Sequence, residues 1–534
     1  MSKSIYLINP APDYPCYFGA DVFAAKGFGP AAMVADLAIT TIAAMLPDDF
    51  NYDLCDQGIS SVDYNSQADF IGLTAKVSQV VNLIALASEF RKRGKVVLIG
   101  GPMASECPDM IRPYCDILVR GEVEEIFAEI CSDLRNDCWK DEYVGDKPDL
   151  ALSPPPKWEK YPNDRALMGV LQTSRGCPFE CEFCDVIQYL GRKQRFKPIP
   201  QVIKELDNLY QYGYYNVFLA DDNFTVNRSR AKELLAAMKH WNNQQQRRKL
   251  IFTTQVSIDA AKDEELLRMC AEAGLTQVFI GIETSNIESL RETKKRQNIG
   301  IDLIEQVQRF LDQGIYVIGG MIVGFDSDSL DAFQRQYEFA MASPIPMFTV
   351  VPLVAPIVTP LFGRLQREGR VIPTSEVEIK PFNTNIIPKQ MTREQLLGGV
   401  RWLANKLYAP EAFGERLSNF IDRIGDPIDP AAKAGKLADR PLRSVDIDSI
   451  EVVSKLSQLG SKEAKMVSRV VAKALRKPHV KPQVLNILYQ YVQIRYMYSA
   501  VGYWDENLQK DSSPSPFQYQ AIQPPSRPTL TVLR

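Results

Sequence analysis

The sequence predicts an α/β protein in three parts: an N-terminal doubly wound sheet, a partial (β/α)6 barrel and a helical C-terminal region. Three observations carry this reading. Strand-like apolar runs alternate with helical-period runs from Ser4 to about residue 370, as in parallel sheets joined by crossover helices. The proline-rich stretch "ALSPPPKWEKYPNDR" (151–165) interrupts the alternation once, as a linker would. Beyond about residue 370 the strand-like runs fade, while helical periodicity persists over 392–425 and 446–505.

In residues 1–150, "SIYLINP", "NYDLCD", "DFIGLTA", "KVVLIGG" and "CDILVRG" read as strands. Ala31–Leu46, about Gln79 to Arg93, and "EVEEIFAEICSDL" read as helices between or after them. Ligands of such sheets sit at the carboxyl ends of the strands. That rule gathers Asn9, Pro10, Thr74, Gly100, Gly101, Pro102, Gly121 and Glu122 on one rim. Residues 166–370 hold six further strands: "LMGVLQTS", "YYNVFLAD", "LIFTTQVSI", "QVFIGIET", "YVIGGMIVGF" and "FTVVPLVAP". Helical runs separate them, which predicts a barrel with its chemistry at the strand C-termini. Residues 371–507 form the helical part, and the Pro-, Ser- and Gln-rich tail 508–534 is expected to be disordered.

Bulk composition removes several classes of function. A formal net charge of -3 gives no global basic field to recruit nucleic acid. The opening "MSKSIYLINPAP" lacks the apolar core and cleavage site of a signal peptide. The longest apolar stretch, Phe348 to Phe362, is too short to span a bilayer and is broken by Pro352, Pro356 and Pro360. Ten cysteines without an export signal imply reduced thiols and a cytoplasmic location. Histidine is confined to His240 and His479, which leaves little room for His-based zinc sites or a Ser-His-Asp triad.

Cys177, Cys181 and Cys184 form C-x3-C-x2-C directly after the first barrel strand, within "SRGCPFECEFCDV". Thiolates at this spacing can hold three corners of a four-iron cube and leave one iron open, where four cysteines would close it. An open position admits a substrate, as at a catalytic zinc. The alternative is a structural zinc completed by a remote cysteine. The place at a strand C-terminus and the aromatic Phe183 before the last cysteine argue against it.

On these residues the chain resembles the radical S-adenosylmethionine (SAM) enzymes. The resemblance implies a [4Fe-4S] cluster held by the three cysteines, SAM chelated at the open iron, an electron donor such as flavodoxin or ferredoxin, and release of a 5′-deoxyadenosyl radical. It also assigns SAM contacts. Phe183 belongs to the cluster motif. "LADDNFT" (219–225) supplies Asp221 and Asp222, supported by Asn223, in place of the common Gly-Gly-Glu form. "GIETS" (281–285) supplies Glu283, and "GGMIVGF" (319–325) backs the adenine, with Gly324 allowing close approach.

The order of domains, with "DDNFT", "GIETS" and "TPLFGRLQREGR" (359–370), is similar to the cobalamin-binding class of these enzymes, on the branch that includes hopanoid C-methylases. That resemblance makes 1–150 a Rossmann-like cobalamin-binding domain, with Thr74, Gly100, Gly101 and Pro102 admitting the nucleotide tail and Glu122 facing the corrin. The D-x-H-x-x-G motif is missing and no histidine precedes residue 240, so cobalamin would bind without a histidine ligand from this domain. The implied activity is C-methylation of an unactivated carbon in a small-molecule or lipid substrate. Alternatives are a cobalamin-dependent rearrangement or cyclisation without methyl transfer, a methylthiotransferase, and a non-catalytic sensor. Cys16, Cys55 and Cys107 near the rim suit a methylthiotransferase, but Asp-Val-Ile after Cys184 does not. The basic run 454–477 reads as an amphipathic helix that either touches an anionic membrane or docks on the barrel as a solvated helix. The aromatic run 488–504 reads as core.

Overall fold

The computed structural model describes residues 2–245, 248–373, 382–426 and 442–510. Fifteen strands occur among them. β1 is Lys3–Asn9, β2 Ala32–Val34, β3 Phe50–Asp56, β4 Phe70–Thr74, β5 Val96–Gly100, β6 Ile117–Arg120, β7 Glu142–Val144 and β8 Ala166–Leu171. β9 is Ser174–Arg175, β10 Arg195–Phe196, β11 Asn216–Leu219, β12 Ile251–Gln255, β13 Leu275–Glu283, β14 Tyr316–Val323 and β15 Met347–Pro352.

Two parallel sheets carry the architecture. The first has the order β3-β1-β4-β5-β6-β7, so the chain reverses its direction of addition next to β1. β4 is buried at four of its five residues, the apolar habit of a parallel strand covered on both faces. The second sheet has the order β15-β14-β13-β12-β11-β8-β2 and forms the partial barrel. All five predicted N-terminal strands and all six predicted barrel strands are present.

Three expectations need correction. Ala31–Leu46 is not one helix: Ala32–Val34 is the seventh barrel strand, paired in parallel with β8, and the helix runs only over Leu37–Met45. Asp36 makes the break, its carboxylate accepting from Ile39 N at 2.9 Å as an N-cap. The basic run 454–477 is interrupted at Gly460, where extended backbone separates a 3-10 turn from the helix Ser461–Leu475. That helix buries Met466, Val470 and Ala474 and packs on Pro410–Arg423. The predicted disordered tail lies, from residue 511 on, outside the described residues, while Glu506–Gln509 is helical.

A partial barrel exposes two sheet edges, and unpaired edge groups are costly when buried. Here the chain's first forty residues cover both. β2 pairs with β8 at one end. At the other, Tyr17 Oη donates to Val350 O at 2.9 Å and accepts from Val350 N at 3.1 Å. Tyr408 does the same two residues earlier, donating to Phe348 O at 2.5 Å and accepting from Phe348 N at 3.3 Å. Two tyrosine hydroxyls thus stand in for the next strand. Residues 17–34 cross the open side between the edges, backed by the helix Lys481–Ala500. That helix is buried on most sides. Its Asn486 Nδ2 reaches Tyr316 Oη at 2.6 Å, and its Gln493 Nε2 reaches Cys16 O at 3.1 Å. The aromatic run is core, as expected: Tyr489, Tyr491 and Tyr498 are buried.

Candidate active site

The cysteine loop begins and ends on a two-residue hairpin. β9 and β10 pair antiparallel, with Arg175 opposite Arg195, so residues 176–194 form a closed loop at the C-terminal end of β8. Gly176 opens it at φ 95°; an added Cβ would lie 2.7 Å from Lys193 O. Only glycine fits that turn. Inside the loop, Cys177 N donates to Gly191 O and Cys184 N to Cys181 O.

The three thiols are electrostatic neighbours. Burial raises the Cys177 thiol, and Cys181 and Asp222 add to the rise. Burial pushes Cys184 up to about 12, with Asp185 and Cys181 adding. A cation stands beside them. Lys295 is largely buried, its side chain 13% exposed, yet its pairing with Glu283 at 2.8 Å and the nearby thiols of Cys181 and Cys184 outweigh burial and hold the ammonium above its ordinary range. Gln297 Nε2 approaches Cys181 Sγ at 3.7 Å. Among the described residues no three His, Cys, Asp or Glu side chains converge on a single ion. A four-iron cube instead takes each thiolate on a separate iron.

The predicted acidic residues divide by geometry. Asp221 is wholly buried and spends both oxygens locally: Oδ1 accepts from Thr173 N at 2.6 Å, and Oδ2 from Ser174 Oγ at 2.8 Å and from Thr173 Oγ1. It fixes the turn that launches the loop. Asp222 accepts from Gly176 N at 2.8 Å; burial pushes its carboxyl up to about 6 against that bond. Asn223 donates to Ser257 Oγ at 2.6 Å, while its Oδ1 is buried and unpartnered. Glu283 ends β13 at a register irregularity with φ 62°, a left-handed conformation rare outside glycine and concentrated at functional positions. Gln336 Nε2 donates to its carbonyl at 2.9 Å.

Beside Phe183 is a cavity of about 300 Å³ lined by Phe183, Ile322, Val351, Pro352, Leu353, Val354, Phe382 and Asn383. It sits at the C-terminal ends of β14 and β15. Gly324 does not line it: at φ 119°, an added Cβ there would meet Leu396 at 2.9 Å, so its close approach is to a helix of this chain. Gly101 is similar, its Cβ position lying 2.4 Å from Thr74 Oγ1. Pro102 starts the helix Pro102–Glu106.

The two rims meet. Helix Pro102–Glu106 of the first sheet packs on Val186–Tyr189, which follows Cys184 directly. Burial pushes Glu106 up to about 7, with Asp185 across the gap adding. Glu122 crosses too. Its Oε2 accepts from Arg175 Nη1 at 2.5 Å and Arg195 Nη1 at 2.8 Å, and its Oε1 from Arg195 Nη2 at 2.5 Å. Glu124 lies 2.8 Å from Arg175 Nη1. On the opposite flank Arg364 holds Glu182 at 2.8 and 3.1 Å and Asp326 at 2.7 Å. Arg364 belongs to the "TPLFGRLQREGR" segment, so its signal was present in the sequence. Arg175 and Arg195 were marked only by bracketing the cysteines, and Lys295 and Gln297 by nothing.

The arrangement suits the implied groups. Three thiols share one loop, and two buried acceptors beside it, Asn223 Oδ1 next to Asp222 and Gln297 Oε1 on the side chain that reaches Cys181, lack donors. Those acceptors fit an ammonium-bearing ligand. The first rim offers half-buried Asn9, Thr74, Gly100 and Gly101, and no imidazole.

A model of the radical SAM superfamily matches residues 171–340, and one of a domain of unknown function matches 359–494. An uncharacterized methyltransferase of Synechocystis sp. is 32% identical over 409 residues, 75% of each chain. The hopanoid C-2 methylase of Rhodopseudomonas palustris is 31% identical over 400 residues, 72% of this chain and 73% of that one. Among solved structures, the cobalamin-dependent S-adenosylmethionine radical enzyme OxsB, with aqua-cobalamin and S-adenosylmethionine bound, superposes with a TM-score of 0.58. It shares 14% identity and covers 94% of this chain and 80% of its own. TsrM from Kitasatospora setae, with cobalamin and a [4Fe-4S] cluster bound, also scores 0.58 at 14% identity, covering 89% of this chain and all of its own. At such identities the likeness is one of fold.

Proposed function

We propose a chemistry for a chain that belongs to the radical SAM superfamily, among its B12-dependent methyltransferase relatives: methylation of an unactivated carbon in an apolar, lipid-like substrate, with cobalamin as methyl carrier. The observation that carries it is the meeting of a three-cysteine loop with the carboxyl rim of a second parallel sheet. When bound, the cluster supplies the electron that cleaves SAM, and cobalamin supplies a transferable methyl group.

The chain's own residues provide the rest. Cys177, Cys181 and Cys184 hold the cluster, and Lys295 offsets its negative charge. Glu283, Asp222 and the unpartnered carbonyl of Asn223 accept from and orient the ammonium of SAM. The cavity beside Phe183, with Ile322 at its wall, takes the adenine ring. Asn9, Thr74, Gly100, Gly101 and Pro102 line the cobalamin rim. Exposed Phe18, Val77, Val354 and Ile357 give the rims an apolar character suited to a hydrocarbon. Phe18 lies 6.1 Å edge-to-face from Phe279 on β13. The name of the hopanoid methylase relative agrees with a lipid substrate. A small redox protein such as flavodoxin or ferredoxin provides the electron.

The test is anaerobic reconstitution followed by iron, corrinoid and isotope analysis. One four-iron cluster and one corrinoid per chain are expected, with methyl label from SAM in the product. Cys181→Ala is expected to abolish formation of 5′-deoxyadenosine. Iron uptake without corrinoid uptake would defeat the methyltransferase reading, and unlabelled product would favour a rearrangement.

A further inference from the structure

Arg175 and Arg195 stand directly opposite each other at the two stems of the cysteine loop. Like charges so placed repel, and both are largely buried, their side chains 15% and 12% exposed. What reconciles them comes from the other sheet. The loop after β6 inserts Glu122 between them, one carboxylate serving both guanidiniums at 2.5 to 2.8 Å, and adds Glu124 on Arg175. The carboxylates are more deeply buried still, 4% and 3% exposed. Two acids and two bases cancel, so the cluster is neutral only while the two sheets stay docked. Arg195 also donates to Pro148 O and Leu190 O, fastening the segment after β7 and the end of the loop to the same point.

We propose that Glu122 and Glu124 are positioning residues for the radical chemistry: they clamp both stems of the cysteine loop to the N-terminal rim and thereby set the pose in which the loop's open iron meets SAM. The loop is also held by the packing of helix Pro102–Glu106 on its Val186–Tyr189 turn and, from the barrel side, by Asp222 on Gly176 N, Arg364 on Glu182 and Gln297 on Cys181. Without the clamp its stems carry two buried, opposed cations. The cysteines themselves remain in place, so iron binding and SAM binding separate. The inference rests on the three cysteines holding the cluster, which iron content reports on its own.

The test compares full-length, anaerobically reconstituted wild type with Glu122→Gln, Glu122→Asp and Glu124→Gln. Iron per chain, the SAM-dependent change in the electron paramagnetic resonance spectrum of the reduced cluster, and the KM for SAM in 5′-deoxyadenosine formation are read together. In Glu122→Gln, iron is expected to stay within about a fifth of wild type while half-saturation by SAM rises at least tenfold; at saturating SAM the cleavage rate stays within about threefold. Glu122→Asp, which keeps the charge, restores half-saturation to within about threefold. A Glu122→Gln protein that saturates with SAM within twofold of wild type overturns the proposal, as does loss of iron in step with loss of SAM binding. If Glu122→Gln does not fold, Glu124→Gln decides. It breaks one contact of four, and a rise of about threefold in half-saturation is expected; no rise overturns the proposal. A wild-type protein that holds no iron would instead refute the cluster assignment.

Discussion

Replacing Tyr17 with Phe removes one oxygen and strands three groups. The Tyr17 hydroxyl donates to Val350 O, accepts from Val350 N, and lies 2.7 Å from Tyr498 Oη. Because its one proton goes to the carbonyl, Tyr498 must donate to it, which uses the hydroxyl's full capacity of one donor and two acceptors. Phe keeps the edge-to-face contacts at 6.1 Å with Phe382 and Tyr498, so packing is conserved. Val350 is wholly buried and, among the described residues, its edge faces no other strand. Each orphaned buried backbone group costs about 1–3 kcal/mol, so Tyr17→Phe is expected to destabilise by about 3–5 kcal/mol. At about 2–4 °C per kcal/mol for a cooperative unit near 200 residues, Tm falls by about 6–20 °C. Tyr498→Phe removes one bond and costs about 1 kcal/mol. The double variant, which also deletes the stranded Tyr498 hydroxyl, should be no less stable than Tyr17→Phe. Thermal and urea unfolding of the four proteins measure this. A Tyr17→Phe protein melting within 1 °C of wild type, or a Tyr498→Phe loss as large, would refute the edge-sealing account.

Two further outcomes follow from charge. Asp56 is 3% exposed and hydrogen-bonded to Tyr161 Oη at 2.7 Å; burial, with Asp36 adding, pushes its carboxyl up to about 6. A folded-state value above the unfolded one means stability is fully present below about pH 4 and is lost as pH rises through about 6, by about 3 kcal/mol. Asp56→Asn should therefore gain on wild type by up to about that amount between pH 4.5 and 7.5, and parallel urea curves at the two pH values would contradict it. Arg364→Gln leaves Glu182 and Asp326 without their shared cation, and release of iron to a chelator should quicken at least threefold; an unchanged rate would argue against that grip on the loop.

Local signals carried much of the fold into the sequence. Continuous apolar runs such as "FIGLT" and "VVLIG" mark buried parallel strands without any knowledge of partners. The cysteine spacing carried the site in the same way. What escaped was set by distant partners. "AMV" is three residues long and blends into the helical run behind it; only its pairing with β8 makes it a strand, and Asp36 was the one local clue. Glu122 reads as a rim acid until two arginines 53 and 73 residues away take its oxygens. Asp221 and Asp222 look equivalent in "LADDNFT", yet the bend that follows β11 buries one under Thr173 and turns the other to Gly176. The backbone of Glu283 is left-handed for reasons that no neighbour in sequence reveals.

The way the first forty residues hold the barrel has a consequence for synthesis. Tyr17 bonds a strand 333 residues further along the chain and a hydroxyl 481 residues further along. At roughly 5–20 residues per second, a ribosome needs on the order of half a minute or more to deliver that last partner. β2 waits less, for β8, but still beyond the completion of the whole first sheet. The N-terminal sheet can close early, with the helix Leu37–Met45 on it, while Tyr17 and the β2 residues wait without their barrel partners. An edge-forming strand and the Tyr17 ring held open for that long are a target for chaperones and for mispairing with a neighbouring nascent chain. Slower growth temperatures and co-expressed chaperones should therefore raise the soluble yield of this protein more than codon changes that speed translation.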